Sequence, residues 1–130
     1  MESRTKRVER YPIRDLSAQE QERFAEAWRV CQAKFVDQPA DAVREAHNLV
    51  TQAMRDRGYP VSAEFERNAA DLSVEHPRVV ENYRLACDIA ARQERGQANT
   101  EDLRKAIVHY RALFEDLLGV HVVHTAEVKR

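Results

Sequence analysis

Three glycines and four prolines are all the backbone punctuation in 130 residues, too little for a sheet protein with many turns. With glycine confined to positions 58, 96 and 119, no glycine-rich phosphate loop can be assembled. Cysteine is as scarce: Cys31 and Cys87 lie outside any Cys-x-x-Cys motif and make no disulfide framework. No run approaches the roughly 18 apolar residues that span a bilayer. The basic N-terminal residues have no apolar stretch behind them, so no signal peptide is expected. An excess of one charge is missing too, and a net charge of −1 argues against nucleic-acid binding over the whole surface. These absences together lead to the expectation of a cytoplasmic chain with no membrane span and no nucleic-acid partner.

What the sequence does contain is 43% apolar and 33% charged side chains, enough of each for a single domain with its own core. Alanine, glutamate, arginine, leucine and glutamine are abundant, which favours long helices. Arg4, Lys6, Arg7, Arg10 and Arg14 gather near the N-terminus against Glu2 and Glu9. Residues 1–15 therefore read as a basic, flexible arm, residues 16–119 as the domain, and residues 120–130 as a tail.

Helical signals follow one another along the domain. Ser17 and Glu20 have capping-box spacing, and Phe24, Trp28, Cys31 and Phe35 form one stripe behind them. A second helix opens at Pro39 and closes at Gly58, with Val43, Ala46, Leu49, Val50, Ala53 and Met54 on one face. A shorter third, with Ser62 as its expected cap, carries Phe65, Ala69 and Leu72 and must end before Pro77. The fourth runs from Pro77 towards Gly96 and turns Val79, Val80, Tyr83, Ala86, Cys87 and Ala90 inward. Asn99 or Thr100 caps the fifth, whose stripe is Leu103, Ala106, Ile107, Tyr110, Leu113, Phe114 and Leu117. The expected fold class is all-α: an up-and-down bundle of four long helices plus one short helix.

Ser73, Glu75 and His76 stand within four positions and invite a catalytic reading. Neighbours in a tight joint seldom face one another, and an oxyanion site usually needs nearby glycine, which is lacking between positions 58 and 96. His76 is expected as a helix N-cap and Glu75 as a connector, with no reaction to run. A third polar side chain meeting them at the floor of a deep cleft would overturn that expectation. No Glu-x-x-His pair exists to build a bundle metal site, so no metal and no cofactor are expected.

The strings "FVDQP", "RGYP", "ADLSVEHPRVVENYR" and "TEDLRKAIVHYRALFEDLL" resemble those of a family of small bacterial helical proteins, over most of residues 11–119. The resemblance implies a bacterial origin and a helical domain, and brings no activity, ligand or catalytic residue with it. Two functional expectations remain. The leading one is a non-enzymatic interaction domain with a protein partner, self-associating as a homodimer through Leu117, Leu118, Val120, Val122 and Val123. The alternative is a ligand- or metal-carrying bundle whose pocket lies between helices two, four and five, near His47, Tyr83 and Tyr110.

Overall fold

The computed structural model describes residues 13–119, which form an all-α helical bundle. The helices are α1 (Ala18–Lys34), α2 (Pro39–Arg57), α3 (Ser62–Arg67), α4 (Ala69–Glu75), α5 (Pro77–Glu94) and α6 (Thr100–Leu118). Four are long, as the periodicity requires. The single short helix of the sequence reading is two, broken at Asn68, whose side chain donates to the Glu64 carbonyl and whose amide closes the end of α3.

The predicted stops and starts account for the long helices. Ser17 Oγ accepts from the Glu20 amide while the Glu20 carboxylate accepts from the Ser17 amide, a complete capping box on α1. Asn99 and Asp102 build the same device on α6. Gly58 ends α2 at φ 99°, a left-handed conformation that glycine adopts without steric cost. Ser62 is a correction. It is the first residue of α3 rather than its cap, and it holds a left-handed φ of 58° that a serine adopts only under strain.

Short connections and side-chain bonds fix the topology. Gln21 near the start of α1 donates to the Leu118 carbonyl, and Arg57 at the end of α2 donates to the Leu117 carbonyl. Arg78 at the start of α5 meets Asp116 near the end of α6. The start of α1, the end of α2, the start of α5 and the end of α6 thus share one pole, giving an up-down-up-down order. Arg14 also belongs to this pole. Its amide donates to the Arg57 carbonyl and its own carbonyl accepts from Arg57 Nε, while Ile13 packs on the core. Ile13 and Arg14, read from the sequence as part of the arm, are therefore held against the bundle.

One continuous core fills the bundle, and α6 runs through it. Phe114 stacks on Trp28 at 5.0 Å between centroids and meets Phe24 edge-on at 6.1 Å, bringing α1 against α6. Leu117 and Leu118 are 1% and 2% exposed. Both were expected on a contact surface, and both are core. The chain ahead of α1 closes over the last turn of α6, so that turn buries a wider arc than its stripe suggested. Val120, Val122 and Val123 lie outside the described residues.

Candidate functional site

His47 on α2, Tyr83 on α5 and Tyr110 on α6 come together between the three helices that the sequence assigned to a pocket. Their backbones are carried there by ordinary amphipathic packing, since Ala46, Val50, Ala86, Ala106 and Leu113 bury the neighbouring positions. Tyr110 is fully buried, and its Oη lies 2.9 Å from His47 Nδ1. Tyr83 lies near-parallel to the imidazole at 6.3 Å and meets Phe65 of α3 edge-on at 4.4 Å. Cys87 Sγ completes the group, 3.8 Å from the same His47 nitrogen.

Burial sets the protonation of all four. It lowers the His47 pKa below its usual value and raises that of the Cys87 thiol. It pushes Tyr83 up to about 12, helped by Cys87 and opposed by the Ser62 amide, and pushes Tyr110 higher still. At neutral pH every member is uncharged. The Tyr110 hydroxyl then has a proton to give and His47 Nδ1 is the nitrogen within reach, an arrangement that places the imidazole N–H on Nε2. A cleft of about 260 Å³ opens beside this group, lined by Arg44, His47, Cys87, Ala90, Ala91 and Glu94. Arg44 and Glu94 pair across its mouth at 3.5 Å. Tyr83 and Tyr110 do not line the cleft, though Tyr110 orients its histidine, while Cys87, on the inward stripe of α5, forms part of its wall.

The joint between α4 and α5 is richer than a connector. His76 is indeed the N-cap residue of α5, but its side chain caps nothing. Its Nδ1 instead lies 3.0 Å from Tyr59 Oη, a second hydrogen-bonded tyrosine–histidine pair among the described residues. A cleft of about 370 Å³ opens over this pair, lined also by Arg57, Glu75, Arg78 and Asp116. His76 meets Tyr59, and Glu75 lines the same open cleft at the pole, which is not a deep one. Ser73 takes no part, because its hydroxyl donates to the Ala70 carbonyl 3.0 Å away. The nucleophile–base contact of a Ser–His–acid set is therefore not made.

Among the described residues no group of three histidine, cysteine or acidic side chains is placed to hold a metal ion, and no helix is long and apolar enough to cross a membrane. Compared with known proteins, the chain matches no family model, no curated protein and no solved structure.

Proposed function

We propose that the domain binds a small, mostly apolar molecule with one polar head, in the cleft between α2 and α5 above the His47–Tyr110 pair. The single supporting observation is that hydrogen bond. It sets a neutral imidazole at a fixed tautomer on the wall of a cleft lined also by Cys87, Ala90 and Ala91, with the Arg44–Glu94 pair at its edge and Nε2–H free for an acceptor on the ligand. At about 260 Å³ the space sits just below the usual range of roughly 300–1,000 Å³ for ligand pockets, so the occupant is small. Carriage rather than catalysis fits the chemistry, because burial holds the Cys87 thiol and both phenols in their unreactive protonated forms. The interaction-domain reading has less behind it. Its two described residues, Leu117 and Leu118, are buried, and the exposed Val30, Val36, Val74, Leu85 and Val108 are distributed over four helices and the turn after α1.

Native mass spectrometry of freshly purified protein tests the proposal. We expect a stoichiometric adduct of small-molecule mass, lost when Ala91→Phe blocks the mouth. An unliganded mass for the wild-type chain, or an adduct that survives in the blocked variant, overturns it.

A further inference from the structure

The cleft at the α4–α5 joint is separate from the ligand site proposed above, lying at the pole where α2 ends and α5 begins. Its electrostatics are unusual. Arg78 stands in the first turn of α5, which holds no acidic residue, and Asp116 stands in the last turn of α6, which holds no basic one. Each therefore sits at the helix end whose dipole carries its own sign. They meet only at 3.5 Å, and Arg78 is 70% exposed, so the contact is loose and exchangeable. Asp116 Oδ2 is withdrawn from solvent and accepts no hydrogen bond among the described residues. A carboxylate oxygen in that condition is a ready acceptor for a cation.

The other charges are spoken for or balanced. Arg57 is committed to the Arg14 and Leu117 carbonyls and to Asp15, and its guanidinium lies over the Tyr59 ring. Glu75 adds a second acid to the lining, so the two arginines and two acids cancel. A cleft of that composition exerts little net pull on a simple ion of either sign. A molecule carrying both signs satisfies both walls at once. The floor suits it as well: Tyr59, buried and protonated, donates to His76 Nδ1, which leaves Nε2–H of a neutral imidazole for a carboxylate.

We propose that this cleft binds a small zwitterion of the amino-acid type. Its carboxylate lies towards Arg78 and His76, and its ammonium group towards Asp116 Oδ2 and Glu75. At about 370 Å³ the space admits such a molecule without rearranging the core.

Amide chemical-shift titrations of the isotope-labelled full chain at pH 7 test this with three probes: L-alanine, acetate and methylammonium. L-alanine is expected to shift the Arg78 and Val79 amides saturably, at a concentration at least tenfold below that needed for either single ion. Asp116→Asn and, independently, Arg78→Gln are expected to abolish saturation while leaving the remaining spectrum in place. Because Arg78 is largely exposed, its variant keeps the test valid should Asp116→Asn disturb the fold. Saturation by acetate or methylammonium at the concentration effective for L-alanine overturns the proposal. So does the absence of saturation by any probe, or undiminished L-alanine binding by Arg78→Gln.

Discussion

His47 and His76 are held in the same way, each with Nδ1 against a buried tyrosine hydroxyl, and burial lowers the pKa of both. In the unfolded chain these rings take up protons near the usual value of 6.5, whereas in the folded chain they do so only at lower pH. Below about 6.5 the unfolded state therefore binds more protons, and acid shifts the balance towards it. Stability from these rings is complete above pH 6.5 and declines as the pH falls through the folded values. Thermal unfolding followed from pH 7.5 down to 5.5 should show a falling midpoint. The double variant His47→Gln, His76→Gln should give a flatter profile; equal slopes in the two proteins would refute the role of these rings. Glu20 does not confuse the window. Its bonds to Arg14 and to the Ser17 amide hold its carboxyl down at about 2, and an unfolded glutamate titrates near 4.5.

Among the elements, the helices with side-chain caps contrast with those without. Gln38, Val61, Asn68 and His76 precede helices and give no side-chain bond to the first turn, whereas Ser17 and Asn99 do. Ser17→Ala removes one half of the α1 capping box and should lower unfolding stability by about 1 kcal/mol in a denaturant titration. A change under a few tenths of a kcal/mol would mean that Leu16 and Gln21 alone hold the start of α1. The caps were legible in advance because they depend on residues three apart in sequence. The break at Asn68 was not. It arises where the chain leaves α3 to pack Phe65 and Leu72 together against α5, and no glycine or proline marks it. Strain at Ser62 was equally hidden, since a serine in that position reads as an ordinary cap. Leu117 lies on the inward stripe, so its burial was legible there; that of Leu118 was not, because what covers the last turn of α6 is Leu16 and its neighbours, about a hundred residues away in sequence.

Across the whole molecule, α6 is the helix against which α2 and α5 pack, while α1 packs on α2 and reaches α6 through its aromatic rings. Phe114 is fully buried and touches both Phe24 and Trp28, so it links α1 to the rest of the core. Phe114→Ala should cost about 3–5 kcal/mol, the usual range for deleting a buried ring. Chemical denaturation measures it, and a loss below about 2 kcal/mol would show that α1 collapses onto α6 without that ring. The bundle was readable because four amphipathic stripes and their stops agree on one architecture. The meeting of His47, Tyr83 and Tyr110 was readable for the same reason, each lying on a face whose partner helices were identifiable. The Tyr59–His76 cleft was not: it depends on where the chain swings after Pro60 and on which charges three helix ends bring to one pole, and neither leaves a local trace.

Arg57 has one further consequence. By gripping the Arg14 and Leu117 carbonyls with a single guanidinium, it makes the chain's entry into the bundle and its exit from it close neighbours. The two ends of the described chain, at positions 13 and 119, therefore stand at one pole of the domain. The opposite side, with the mouth beside Arg44 and Glu94, is left facing outward.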